Sequence, residues 1–230
     1  LDVIFATTGG TVRRNKLSDF VDVRRNGLIA MKLDDGEAIV DVATATERDD
    51  IFLTTKDGQC IRFAVPEVRV FQGRTSMGVR GISLGENDKV IALSILTHFD
   101  ATSDERISYL RRANALRRRM GEDVSTDLGV DGDESASDVE LTEERFAAMQ
   151  VAEQVILTVS ENGYGKRTSS YEYRTTGRGG KGIVAMAVNP HAAMRPLPVS
   201  RRTLADEGLS PSFVDYMAGW KGFVESDNDI

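Results

Sequence analysis

Basic side chains recur just after three tight glycine turns, and their chemistry is that of phosphate binding. The sequences TTGGTVRR (residues 7–14), TKDGQCIR (55–62) and SENGYGKR (160–167) each place Gly-Gly, Asp-Gly or Asn-Gly ahead of one or two cations. These dipeptides accept the positive φ of a tight hairpin turn. A cation repeated at the same corner of a repeated β unit forms a track that fits regularly spaced phosphates and releases their counterions. Such binding needs neither a nucleophile nor an acid–base pair, so we assign no catalytic residue.

The candidate phosphate contacts follow these turns or the loops behind them. A single cation after a turn is usually only a solvated surface residue, and recurrence at equivalent places is what favours a binding role. For Arg80, a buried ion pair with Glu86 or Asp88 is an equally open alternative. In the third copy, several glycines would let backbone amides approach phosphates closely. The candidates are Arg13, Arg14, Lys16, Arg24, Arg25, Arg62, Arg74, Arg80, Lys166, Arg167, Arg178 and Lys181.

Other reactive groups favour structural roles. TGRGGKG (176–182) lacks the Gly-Lys-Ser/Thr ending of a P-loop, which argues against nucleotide binding. Cys60 lies in an apolar alternation and is predicted to be in the core. One cysteine and two histidines argue against a disulfide framework and a zinc site, and the cysteine count fits a reducing cytoplasm. We expect the tyrosines near the third turn to pack within a sheet rather than stack on bases: Tyr164, Tyr171 and Tyr173.

The net charge of −7 would argue against a nucleic-acid partner, but its distribution reverses that conclusion. Residues 97–153 hold 14 acidic and 7 basic residues, which accounts for the whole excess. Residues 1–96 and 154–188 together hold 18 basic and 16 acidic residues, so the repeat-bearing parts are mildly positive. No run is long and apolar enough to span a membrane, and the opening residues indicate a piece of a longer protein.

The repeat predicts an all-β fold of propeller-like blades, each with about four antiparallel strands. Gly10 and Gly58 lie 48 residues apart, and a second glycine-centred apolar strand follows each hairpin at Gly27, Gly78 and Gly182. The predicted segments are a blade at 1–47, a blade at 48–98, an acidic, Arg-rich insert at 99–153, an incomplete third blade at 154–188 and a divergent tail at 189–230.

The insert and the tail differ from the blades in composition. The sequence predicts helices at 104–120 and 142–149, whereas the segment 121–140 has the acidic, Gly/Ser-containing composition typical of disorder. The insert is either a solvated insertion or an autoregulatory arm whose acidic stretch competes with DNA for the basic surface of the blades. Four of the five prolines lie in the tail, which argues against a central strand there, and 209–224 could form an edge-covering helix or remain unstructured.

The three copies and their order resemble the C-terminal DNA-wrapping domain in the A subunit of bacterial DNA gyrase. The resemblance rests on ATTGGTVRR (6–14), TSMGVRGISLGE (75–86) and ENGYGKRT (161–168), and it covers about residues 1–96 and 154–188. It implies a six-bladed β-pinwheel that wraps DNA on a basic rim, with these copies similar to its third, fourth and fifth blades. The insert is similar to one in alphaproteobacterial gyrases. The family's first-blade Gln-Arg-Arg-Gly-Gly-Lys-Gly box is absent, and RGGKG (178–182) is a related, later copy.

The resemblance also implies partners and a cellular role. The whole enzyme would be an ATP-hydrolysing type II topoisomerase that uses Mg²⁺, while this segment would carry no cofactor of its own. Its partners would be double-stranded DNA, the B subunit of gyrase and a second A subunit, in the bacterial cytoplasm near the nucleoid. Two alternatives stay open: the equivalent domain in the A subunit of topoisomerase IV, and a propeller-type protein-interaction module whose acidic insert recruits a basic partner.

Overall fold

The computed structural model describes residues 1–21, 25–121, 139–160, 163 and 165–186. Antiparallel sheets make up most of the regular secondary structure in this part of the chain, and the two α-helices lie between residues 103 and 152. The all-β prediction with a partly helical insert is therefore confirmed. The strands are β1 (Asp2–Thr7), β2 (Thr11–Lys16), β3 (Ile39–Ala45), β4 (Asp49–Thr55), β5 (Gln59–Ala64), β6 (Val79–Arg80), β7 (Val90–Thr97), β8 (Val155–Val159), β9 (Gly165–Ser169) and β10 (Ile183–Val184).

Each of the three predicted hairpins forms: β1–β2, β4–β5 and β8–β9. Their turn glycines, Gly10, Gly58 and Gly163, all have φ between 80° and 83°. This left-handed conformation is accessible to glycine at little cost, which explains why the sequence repeats glycine at this place. A 3₁₀ turn follows each hairpin, at Leu17–Phe20, Val65–Glu67 and Ser170–Glu172.

The sheets are linked because each of the first two receives a strand from further along the chain. The first sheet has the order β3-β1-β2-β6, and the second has the order β10-β5-β4-β7. Thus β6, which follows the second hairpin, pairs with β2, and β10, which follows the third hairpin, pairs with β5. The third sheet has two strands, β8 and β9, within the described residues.

The glycine before each exchanged strand is required by close packing. Gly78 has φ +149°, and a Cβ there would lie 2.5 Å from the carbonyl oxygen of Val12. Gly182 has φ +76°, and a Cβ there would collide with the carbonyl group of Cys60. Only glycine lets β6 and β10 approach the preceding hairpins this closely.

The core lies on both faces of the second sheet. Ile51 and Leu53 face Ile4 and Val12 of the first sheet, whereas Phe52 on the opposite face packs with Ile156 of the third. This alternation along one strand follows from the two-residue period of β structure. Cys60 is fully buried beside Phe52, as predicted.

The insert contains two helices, α1 (Ser103–Arg119) and α2 (Glu143–Ala152). Thr102 and Glu105 form a capping box that starts α1, and Thr142 caps α2. The predictions for 104–120 and 142–149 are thus confirmed to within a few residues. The prediction of disorder at 121–140 falls mainly on 122–138, outside the described residues, as do the tail predictions. No helix among the described residues is long and apolar enough to cross a membrane.

Candidate nucleic-acid interface

Two of the predicted phosphate contacts, Arg14 and Arg62, are buried at equivalent positions of the first two hairpins. Arg14 Nε donates to Asp2 Oδ2 at 2.6 Å, and Arg62 Nε donates to Asp50 Oδ2 at 2.8 Å. Asp2 and Asp50 likewise occupy equivalent places at the starts of β1 and β4. Each arginine is therefore neutralised by a carboxylate on its own hairpin.

The same two arginines bind the 3₁₀ turn of the next unit. Arg14 Nη1 lies 3.4 Å from the carbonyl oxygen of Val65 and 3.3 Å from that of Val68. Arg62 Nη1 donates to the carbonyl oxygen of Ser170 at 2.8 Å. These contacts join consecutive units, and they give the carbonyl oxygens of Val65 and Ser170 a second donor besides the amides of Val68 and Tyr173.

Arg13 is also buried, on the opposite face of β2. Its Nε donates to Asn15 Oδ1 at 2.6 Å, and its other nitrogens donate to backbone carbonyls of Gly73 and Ser76. Burial lowers its pKa, with Asp19 opposing that shift. The prediction that Arg13, Arg14 and Arg62 contact phosphates is corrected, because their guanidinium groups are engaged inside the protein. Sequence periodicity could not reveal this, since the carbonyl partners lie 35 to 111 residues away.

Lys16 is half exposed, but its ammonium lies 2.8 Å from Asp2 Oδ1. Although burial raises the pKa of Asp2, hydrogen bonds from Lys16 and Arg14 hold that pKa below its usual value. The ammonium of Lys16 is thus already paired with a carboxylate.

Of the other predicted cations, Arg74 is half-buried, and Arg24 lies outside the described residues. The remaining predicted cations have exposed side chains: Arg25, Arg80, Lys166, Arg167, Arg178 and Lys181.

The structure brings four exposed cations together at the glycine loop 176–182. Arg178 Nε donates to the carbonyl oxygen of Glu67 and its Nη1 to that of Arg80, both at 3.0 Å. The amide of Gly179 donates to the carbonyl oxygen of Gly81 at 2.6 Å. These bonds hold the loop against β6 and bring Arg80 beside it. We call Arg80, Arg174, Arg178 and Lys181 the cationic cluster.

A cleft of about 210 Å³ opens beside this cluster. Arg174 and Lys181 line it, Arg62 lies at its wall, and Gly177, Gly180 and Gly182 supply further backbone surface. Arg174 was missed by sequence reasoning because it does not follow a turn, although its place four residues before Arg178 was a usable signal. Arg80 is exposed rather than buried against Glu86 or Asp88, so the burial alternative is wrong.

The other groups weighed as chemistry have structural roles. Tyr171 and Tyr173 are buried, as predicted, and Tyr164 lies outside the described residues. His98 Nδ1 lies 2.9 Å from Asp50 Oδ1. The described residues contain no group of three or more His, Cys, Asp or Glu side chains that could hold a metal ion.

Repeated antiparallel sheets that exchange strands define a β-propeller-type domain, and cations are exposed at the junction between two of them. A family model described as "DNA gyrase C-terminal domain, beta-propeller" matches residues 1–46, 49–97 and 154–192. These segments make up more than half of the chain, and they coincide with the three hairpin units. The chain belongs to the DNA gyrase C-terminal domain family.

Curated relatives agree with this assignment. The chain is 49% identical over 197 residues to the DNA gyrase A subunit of Granulibacter bethesdensis, covering 83% of this chain and 21% of that protein. It is 43% identical over 192 residues to the DNA gyrase A subunit of Rickettsia bellii, covering 82% of this chain and 20% of that protein. The chain therefore spans about a fifth of the length of these relatives.

A solved structure of the C-terminal domain of DNA topoisomerase IV has a similar fold. The TM-score is 0.56 at 18% sequence identity, and the match covers 86% of this chain and 46% of that chain. At this identity the likeness concerns the fold alone.

Proposed function

We propose that this chain is a non-catalytic segment of the DNA gyrase A subunit that binds and wraps DNA. The observation that carries the proposal is the cationic cluster, held by hydrogen bonds from Arg178 to backbone carbonyls at the junction of two sheets in a member of this family. The holoenzyme would be an ATP-dependent type II topoisomerase that also contains the B subunit of gyrase and a second A subunit. It would act on double-stranded DNA in the bacterial cytoplasm.

The mechanism depends on many weak contacts with phosphates. Bending a duplex costs several kcal/mol, and contacts spread along a rigid curved surface offset this cost. The sheets supply rigidity through buried arginine contacts, and the exposed cations supply charge. The proposed contacts are Arg25, Arg80, Lys166, Arg167, Arg174, Arg178 and Lys181. In the holoenzyme, the wrapped flank would present a DNA crossing of defined sign to the cleavage gate.

The topoisomerase IV alternative receives less support. Its solved C-terminal domain resembles this chain in fold at 18% identity, whereas relatives among the gyrase A subunits reach 49% identity. We therefore favour supercoiling over decatenation as the activity that the segment serves.

The test is the topology of relaxed circular DNA treated with a nicking-closing enzyme in the presence of the chain. We expect a linking-number change of a single sign. Arg174→Gln combined with Lys181→Gln should reduce it, because two phosphate contacts are lost. Arg118→Gln combined with Arg119→Gln makes the same change of charge on the exposed end of α1 and should leave it unaltered. A wild-type chain that leaves the linking number unchanged would overturn the wrapping proposal.

A further inference from the structure

The 3₁₀ turn Ser170–Glu172 is held by two arginines that come from different parts of the chain. Arg62 of β5 donates to the carbonyl oxygen of Ser170 at 2.8 Å. Arg106 of α1 donates through Nε to the next carbonyl, that of Tyr171, at 3.0 Å. The turn that follows the third hairpin is thus bound by both the second sheet and the insert.

The equivalent turn in the second unit, Val65–Glu67, has different partners. Arg14 donates to the carbonyl oxygens of Val65 and Val68 from the preceding hairpin, and Arg178 donates to that of Glu67 from the later glycine loop. The residue that corresponds to Tyr171 is Pro66, which is exposed. Tyr171 is instead buried, and its hydroxyl donates to the carbonyl oxygen of Met149 at 3.0 Å. The insert has therefore added a second layer of contacts at this junction.

Aromatic packing joins the insert to that turn. The ring centroids of Tyr109 and Tyr171 lie 5.0 Å apart, and those of Phe99 and Tyr171 lie 6.0 Å apart. Both pairs have the edge-to-face geometry that aromatic rings favour. Leu110, Phe146 and Met149 complete this small core. A merely solvated insertion would not bury these groups against the blade.

Ion pairs fix the two helices to each other. Arg145 Nε lies 2.8 Å from Glu105 Oε1, and Arg117 Nη2 lies 2.5 Å from Glu153 Oε2. Tyr109 also donates to Glu153, at 2.9 Å. Just after α2, Gln154 Oε1 accepts from the amide of Thr97 at 2.7 Å, which ties the end of the insert to β7. The two helices therefore form a braced unit rather than a loose arm.

Electrostatics links this unit to the cationic cluster. Burial, together with the neighbouring charges of Arg62 and Arg174, lowers the pKa of Arg106 to about 10. The group remains protonated at neutral pH, so its positive charge adds to those of Arg62 and Arg174, which line the cleft.

We propose that α1 and α2 form a clamp on the junction between the second and third hairpins, with Arg106 as its positioning residue. By holding Tyr171 and its turn against β5, the clamp sets the angle at which the third unit presents the cationic cluster. The effect of the clamp on DNA curvature rests on the proposed wrapping function, whereas its effect on the geometry of the junction does not depend on that function.

The first test measures the junction without DNA. Spin labels at Asp57→Cys in the second hairpin and Lys166→Cys in the third report the distance between the two hairpins. The native Cys60 is buried and should not react with the label. Pulsed double-resonance spectra should give a narrow distance distribution in the full chain and a broader one with Arg106→Ala. Arg106→Lys keeps a donor, so the distance distribution should be narrow again. Tyr171→Phe removes only the hydroxyl and should give a distribution of intermediate width. Arg118→Ala, on the exposed side of α1, is the control.

The second test measures DNA. With Arg106→Ala we expect affinity at low salt to change little, because Arg106 binds a carbonyl rather than a phosphate. We expect the linking-number change per bound chain to fall about twofold, because a less defined angle bends DNA less. An unchanged distance distribution in both Arg106→Ala and Tyr171→Phe would overturn the clamp. A wild-type chain that fails to wrap DNA would instead overturn the proposed function, while the distance measurement would still decide the clamp.

Discussion

Arg62 connects parts of the molecule that are far apart in sequence. Its Nε binds Asp50 twelve residues earlier, and its Nη1 binds the carbonyl oxygen of Ser170, 108 residues later. Asp50 is fully buried and also accepts a contact from His98. Burying a carboxylate without its partner costs free energy, so the main role of the Arg62–Asp50 pair is to constrain how the units assemble.

Replacing Arg62 should therefore destabilise the fold. We expect Arg62→Ala to lower the free energy of unfolding by about 3 kcal/mol, because Asp50 keeps a buried charge without its guanidinium partner. Arg62→Lys should cost less, since one ammonium can still reach the carboxylate. Urea denaturation followed by circular dichroism measures both. Lys89→Ala, at an exposed side chain, should stay within about 0.5 kcal/mol of the wild type, and equal effects of Arg62→Ala and Lys89→Ala would contradict this account.

Sequence reasoning identified the hairpins but misjudged several of the arginines that follow them. A glycine turn and an alternating strand are local features, so Gly10 and Gly58 can be read from their neighbours alone. Whether Arg14 points to solvent depends on Val65 and Val68, whose carbonyls reach it only after the chain has folded. The exposed residues Arg178 and Lys181 were predicted correctly as surface cations, and their contact with DNA stays a prediction.

At the level of elements, strand exchange is what makes the sheets one assembly. The short strands β6 and β10 each contribute two residues to a sheet whose hairpin lies earlier in the chain. Their backbone must approach β2 and β5 closely, which is why a glycine precedes each one. The sequence contained this signal as a repeated second glycine, but not the identity of the sheet that each strand joins.

Gly78→Ala tests this requirement. The added Cβ would lie 2.5 Å from the carbonyl oxygen of Val12, so β6 must shift away from β2. We expect a loss of about 2 kcal/mol in the free energy of unfolding, from strain and displaced contacts. Gly73→Ala is a matched control, because Gly73 also has a positive φ but nothing lies within 4 Å of its added Cβ. It should cost only about 1 kcal/mol. If the two substitutions cost the same in chemical denaturation, close approach is not what selects glycine at position 78.

On the scale of the whole molecule, an acidic chain presents a local basic surface. In the described part of the insert, Glu105, Glu143 and Glu153 are paired with arginines of the same insert. Their charge is thus largely compensated where they lie. The autoregulatory hypothesis stays a prediction.

Salt dependence tests whether this local surface, rather than the net charge, governs binding. Because phosphate contacts release counterions, the logarithm of the affinity for duplex DNA should fall linearly with the logarithm of salt concentration, with a slope of about −0.9 per contact. Arg174→Gln removes one proposed contact, and the slope should become shallower by about one. Arg119→Gln is the control: it makes the same change in net charge at an exposed residue at the end of α1, and it should leave the slope unchanged. Fluorescence anisotropy with a labelled duplex measures all three chains. Equal slopes for Arg174→Gln and the wild type would remove Arg174 from the interface, and a wild-type affinity insensitive to salt would argue for a protein partner instead of DNA.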